Sequence, residues 1–372
     1  MHFRRLKIDT LLLFQVGPVW LLLNLVIAFV NSSLLSLVLV ALRDSWLFCL
    51  LALLIVRKEW KYLTFFYLSM LLGLLPALWL TSSFNLSIYL YGLRDIGLIL
   101  FILGIASNKI EATPKIIHIT ALFIILGSLF QIITQQFLGD EIFQTFSNAN
   151  NYFANKGISS NLKGGLFGDR LYYPLYSSSL IGTFLSLYLF VKKGIIKKIF
   201  LLIISFLTLS KAVFVLIFFY FFKGQRRSQI VLLMTLVVFL LPPILNGILQ
   251  ALPTSIITFH ITSILDRFNA FNYLGDMLLN LPDYLGYNSV AGFVISGRDA
   301  SLAPESLIIS RLLDYKQFSL VIIVALFSIL LKMEKHQLNI VTPIFFLFLF
   351  SSLSNHPIAF LPLILFDERI KS

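Results

Sequence analysis

From residue 10 onward the chain alternates long apolar runs with short polar breaks, most of them basic. Runs of about 20 apolar residues are long enough to cross a ~30 Å hydrocarbon core as helices. Taken with their breaks, they predict spans near 10–30, 33–56, 62–80, 88–107, 116–137, 174–191, 199–222, 229–249, 318–331, 338–353 and 356–366. In lipid every backbone polar group must be satisfied internally, so only helices or a closed barrel can cross. Barrel strands alternate apolar and polar residues, whereas runs such as 10–30 and 318–331 are continuous. The pattern predicts an all-α polytopic membrane protein, a single integral membrane domain over 1–372 with two large external loops, 138–173 and 250–317.

Composition agrees. The chain is 58% hydrophobic and 12% charged, against roughly 45–50% and about 25% for soluble domains. Residues 1–9 and the apolar run behind them lack a small-residue cleavage pattern, and many spans follow, so this start is expected to be a retained first helix. Cys49 stands alone in an apolar run, which leaves no internal disulfide and no cysteine-based zinc cluster.

The net charge of +12 is explained by its distribution. Seven linkers are basic: 4–7, 57–61, 109–115, 192–198, 223–227, 332–335 and 369–371. With both termini, these linker segments hold 19 Lys/Arg against 6 Asp/Glu, whereas the loops 138–173 and 250–317 hold 7 against 9. Lys and Arg are enriched on the cytoplasmic side of membrane proteins. The excess therefore orients the chain, with both termini cytoplasmic, and no nucleic-acid partner is expected.

One segment breaks the alternation. Linkers 192–198 and 223–227 are both basic, yet only 199–222 lies between them. Parity returns if this stretch is a broken, partly re-entrant hairpin turning at Ser210 and Lys211, which brings the count to about 12 crossings. Arms of about 12 residues are short for a full crossing and require protein around the turn. The alternative is one straight helix with a local failure of the charge rule.

Loops longer than about 12–15 residues are usually functional or disordered. Loop 138–173 carries Phe143, Phe146, Tyr152, Phe153, Tyr172 and Tyr173 among Asn, Ser and Gly. Such aromatic faces suit stacking on sugar rings; equally, aromatic residues are enriched at the membrane interface. Loop 250–317 sets Arg267, Arg298, Arg311 and Lys316 among Asp266, Asp276, Asp283, Asp299, Glu305 and Asp314. Its stretches 256–264 and 277–285 suit helices lying on the membrane surface, and for any one of these charges a solvated surface is the plainer explanation. Within the spans, Arg94 and Asp95 are costly in lipid and face a cavity or a partner, or serve as helix-packing contacts. Arg43 and Asp44 lie in the second span or in a loop beside it, and Lys211 sits at the expected turn. No Walker or dinucleotide motif is present, and the five His lack metal-ligand spacing. No early external loop carries paired acidic residues, which disfavours a dolichol-sugar-type glycosyltransferase.

Three segments resemble the O-antigen and exopolysaccharide polymerases (Wzy-like), relatives of the O-antigen ligases. FLTLSKAVFVLIFFYFF is similar to the family's apolar run broken by Ser-Arg, here Ser210 and Lys211. GGLFGDRLYYPLYSSSLIGTFL, residues 164–185, resembles its external loop leading into a span. LDRFNAFNYL, LGYNSVAGF and PESLIISRLLDYKQFSLVI together resemble its late periplasmic loop.

The resemblance implies a metal-independent membrane glycosyltransferase without a cofactor. It would polymerise undecaprenyl-diphosphate-linked repeat units into O-antigen, capsule or exopolysaccharide at the outer face, with inversion. Arg170 and Arg267 would hold the donor diphosphate, for which bidentate guanidinium contacts are suited. Glu305 stands where ligase relatives often show a His-Asn pair, and would accept the acceptor hydroxyl's proton. Lys211 departs from the family's Arg, and the two are not equivalent at a bidentate site. Arg94, Arg298, Arg311, Lys211 and Tyr172 complete the candidate substrate-binding set. Implied partners are the lipid-linked glycans, membrane lipids and a chain-length regulator. The alternatives are an O-antigen ligase acting on lipid A core, and a polysaccharide flippase. Against the flippase stand one long outer loop and no internal repeat.

Overall fold

The computed structural model describes residues 17–30, 113–148, 171–191, 194–208 and 357–365 continuously. It also describes residues 6–7, 34–35, 38–39, 42, 45, 98, 101–102, 104–105, 110–111, 163–165, 168–169, 210, 212–213, 216–217, 244, 247, 344 and 347. Spans 62–80 and 318–331 and the loop 250–317 lie outside the described residues. Spans 33–56, 88–107, 229–249 and 338–353 are described only at scattered positions, nearly all helical.

Five α-helices carry the described part: α1 (Pro18–Phe29), α2 (Pro114–Phe137), α3 (Asp140–Ser147), α4 (Ser178–Val191) and α5 (Ile195–Leu207). A 3-10 helix, Pro357–Leu365, packs against α4 and α2. Two short pairs of strands accompany them: β1 (Leu6–Lys7) runs parallel to β2 (Ile110–Glu111), and β3 (Lys163–Gly165) antiparallel to β4 (Gly168–Asp169).

Helix α2 matches the expected span at 116–137. Prolines in the first turns of α1 and α2 leave no useful donor unmet, because the first amides of a helix have no intrahelical acceptor. Its 24 residues extend about 36 Å at 1.5 Å per residue, and it is long and apolar enough to cross a membrane. A soluble core helix of that composition would be mostly buried, yet only 33% of the most apolar 18-residue window is.

The faces of α2 are reversed relative to a soluble protein. Every exposed residue from 119 to 133 is apolar: Ile119, Leu122, Phe123, Leu126, Phe130 and Ile133. The buried face holds Thr120, Ser128, Gln131, Thr134 and Gln135 beside Ile117, Ala121 and Ile124. Water selects the opposite arrangement, whereas lipid favours an apolar outer surface with polar groups turned onto protein.

Contacts among the helices establish the sidedness. At one end His118 of α2 shares a 2.8 Å hydrogen bond with Tyr188 of α4. At the other, Gln131 of α2 bonds the backbone of Tyr172 and Tyr173, just ahead of α4. The two helices are therefore antiparallel. The amide of Leu171 donates to the carbonyl of Leu207, so the far end of α5 joins the second end. The β1–β2 pair brings linker 4–7 to the start of α2. The described residues of three basic linkers, 6–7, 110–111 with 113–115, and 194–198, thus lie at one end of α2. The segment 171–176 lies at the opposite end.

The structure departs from the expected spans in three places. Residues 173–176 form a turn, and α4 begins at Ser178 rather than 174. Helix α5 begins at Ile195, inside the expected linker, because Gly194 at φ +98° turns the chain directly into it. The last apolar run, 356–366, is not a full α-helical crossing. It is the nine-residue 3-10 helix, buried at every residue, with Pro362 inside. At a rise of about 2.0 Å per residue it extends about 18 Å, and Pro362 supplies no amide for an α-helical bond.

Candidate functional site

Of the eight candidate site residues only Tyr172 is described. Arg94, Arg170, Lys211, Arg267, Arg298, Glu305 and Arg311 lie outside the described residues. What the structure does define is the platform from which residue 170 departs, at the end of α2 away from the basic linkers.

That platform is the turn at 172–176, with a cis peptide bond at Tyr173-Pro174 and Tyr176 at φ +52°. Its backbone does not continue a helix, so its amides need other acceptors. The amides of Tyr172 and Tyr173 both donate to Oε1 of Gln131, at 2.9 Å each. Nε2 of Gln131 donates to Oε1 of Gln135 at 3.2 Å. Because two amides require the oxygen of Gln131, its orientation is determined, and that of Gln135 follows. Ser128 Oγ donates to the carbonyl of Tyr173 at 3.4 Å. Gly127 admits the ring of Pro174, whose Cδ would lie 2.6 Å from a Cβ built there. Ser177 then caps α4, its Oγ accepting the amide of Leu180.

The aromatic residues close the platform from above. Tyr172, 1% exposed, joins Ile27, Ala28, Phe143 and Tyr176 in one buried cluster. Its ring meets Phe143 edge-on at 6.0 Å and Tyr176 at 6.5 Å, distances at which such pairs add to area burial. The half-buried Tyr173 ring contacts Phe130, Phe143 and Tyr176, and burial pushes its phenol above the usual range. Tyr176 donates its hydroxyl to the carbonyl of Ser147 at 2.7 Å. Asn148, in the left-handed region at φ +47°, donates from Nδ2 to the carbonyl of Ala28 at 2.6 Å. The ring of Tyr172 is thus a packing element that anchors the start of the turn, and it offers no open face for a sugar.

A second irregularity lies beside α4. Helix α5 ends at Leu207, and helical residues resume at Ala212 and Val213. Thr208 and Ser210 are not helical, next to the expected turn, so a straight helix over 199–222 is not observed. Lys211 and the return arm beyond residue 217 lie outside the described residues. Thr208 Oγ1 donates to the carbonyl of Ser205 at 2.6 Å and accepts the amide of Ser210 at 3.3 Å. Side-chain hydroxyls of this kind satisfy backbone groups freed where a membrane helix is interrupted.

Gly182 of α4 makes this approach possible. A Cβ there would lie 2.7 Å from Thr208 Oγ1 and from Val213 Cγ2. Gly182→Val is therefore expected to cost about 1–3 kcal/mol through overpacking, and Gly182→Ala less. Thermal unfolding in detergent checks this, and an unchanged midpoint in the valine variant would exclude a close-packed break.

Three buried polar groups have no hydrogen-bond partner among the described residues: Gln135 Nε2, Thr183 Oγ1 and Ser186 Oγ. No three His, Cys, Asp or Glu side chains converge among the described residues. Gln131, Ser128 and Gly127 escaped the sequence reading, although two Gln four residues apart in an apolar helix were a visible signal. No family model, curated protein or solved structure matches this chain.

Proposed function

We propose that the chain is a polytopic membrane glycosyltransferase. It polymerises undecaprenyl-diphosphate-linked repeat units into O-antigen, capsule or exopolysaccharide at the outer face of the bacterial cytoplasmic membrane. What supports this is the segment 164–185, whose sequence resembles the polymerases' external loop. Its anchored part, Leu171 to Ser177, sits at the end of α2 opposite the basic linkers. With those linkers cytoplasmic, the segment faces the side on which lipid-linked glycans are polymerised.

In the proposed mechanism Arg170 and Arg267 hold the donor's diphosphate. Glu305 accepts the proton of the acceptor sugar's hydroxyl, which attacks the anomeric carbon in line and inverts it. The bond to the diphosphate breaks, and undecaprenyl diphosphate leaves with its charge balanced by the two guanidinium groups. Arg94, Lys211, Arg298 and Arg311 contribute further contacts to substrate. Tyr172 acts at one remove: its buried ring anchors the turn immediately after Arg170.

Deleting the gene and running surface glycan on a gel tests the proposal. The expected result is acceptor carrying a single repeat, with the ladder lost. Complete loss of glycan would indicate the ligase or the flippase instead, and an unchanged ladder would refute polymerisation.

A further inference from the structure

Helix α3 has three sides. At about 100° per residue, Ile142 and Phe146 share one side and are 42% and 61% exposed. Phe143 and Ser147 occupy the next side and are buried at 0% and 1%. Asp140, Glu141, Gln144 and Thr145 complete the circle. The buried side faces protein, because Phe143 packs on Tyr172 and Tyr173. The polar side suits water, and the two acidic residues lie in the first turn, where the helix dipole favours them.

The exposed apolar side continues another surface. The outward stripe of α2 ends at Phe137, 82% exposed, followed by Leu138 at 54%. Gly139, at φ +92° with open space around it, then turns the chain into α3. In sequence the exposed Ile119, Phe123, Leu126, Phe130, Ile133 and Phe137 are followed by Leu138, Ile142 and Phe146, and the ring of Phe130 in that stripe meets Phe143 of α3 at 6.1 Å, which sets the exposed side of α3 beside it. A protein partner for this patch would have to cover a surface that the bilayer already occupies along α2. We infer that α3 is an interfacial helix, seated in the boundary between acyl chains and headgroups, with Ile142 and Phe146 dipping into lipid and Glu141 and Thr145 in water. Through Phe143 it sets the depth of the turn at 172–176, and so the height at which the following helix meets the headgroups. This rests on the membrane assignment of the preceding subsection.

Single cysteines at Leu126, Ile142, Thr145 and Phe146, in a full-length Cys49→Ser background reconstituted in phospholipid vesicles, separate the possibilities. All four positions are exposed, so the core stays intact. Their reaction with a charged, membrane-impermeant maleimide should be at least about tenfold faster at 145 than at 142, 146 or 126, as expected for an interfacial helix. Spin labels at 142 and 146 should collide readily with oxygen, at a shallower depth than the label at 126. Fast labelling of 142 and 146 with 126 protected would place α3 in water and overturn the inference alone. Protection of 142 and 146 from both maleimide and oxygen would mean that protein covers them, again overturning it. Fast labelling at 126 would remove the membrane assignment itself and this inference with it.

Discussion

Gln131→Leu is expected to destabilise the protein by about 2–4 kcal/mol, since a buried donor left without a partner costs ~1–3 kcal/mol and this variant leaves two. The two are the amides of Tyr172 and Tyr173, each 2.9 Å from Gln131 Oε1. Leucine fills a similar volume and is cheaper to bury, which offsets part of the loss. It cannot offset all of it, because the stranded amides belong to a non-helical turn that neither lipid nor a helix ladder satisfies. Gln135→Leu is the control. It removes one 3.2 Å side-chain bond and a donor that has no partner among the described residues. Polar side-chain pairs in membrane helices average about 0.6 kcal/mol, so its effect should be the smaller. Unfolding midpoints in detergent decide the matter, and equal losses in the two variants would remove Gln131 from its anchoring role.

Arg170→Ala and Arg267→Ala should each abolish chain extension while protein levels hold and single-repeat glycan persists. Removing one donor from a developing anion typically costs ~10²–10³ in rate, enough to erase a ladder. Arg170→Lys keeps the charge but loses the planar fork, so partial extension of short chains is expected. Normal ladders in both alanine variants would refute the diphosphate-binding role.

Among the described residues the helical runs were legible from apolar length: α2 falls at the expected span 116–137 and α4 within 174–191. The described starts of α2 and α5, beside linkers 109–115 and 192–198, fall at one end of the helices, and the lysines of both linkers place them on one side. The break beside Ser210 was legible because two basic linkers flank a single apolar run. Hydropathy says nothing, however, about rise per residue. The run 356–366 is apolar enough for a crossing, but Pro357–Leu365 is a buried 3-10 helix. Nor does it distinguish a packed aromatic ring from one that binds sugar. Tyr172 follows Arg170 closely in an aromatic, proline-containing loop, a context equally suited to both, and its 1% exposure comes from contacts with α1 and α3 that lie far away in sequence.

The polar face of α2 also has a consequence for the order of events during synthesis. The backbone groups that occupy Gln131 lie 41 and 42 residues further along the chain. On the proposed membrane assignment those residues are not yet in place when α2 inserts, and its buried Ser, Thr and Gln side chains face lipid or the insertion machinery. A nascent chain halted before residue 171 would therefore carry an unfinished helix, whose polar stripe any insertase or quality-control protease could read as incomplete.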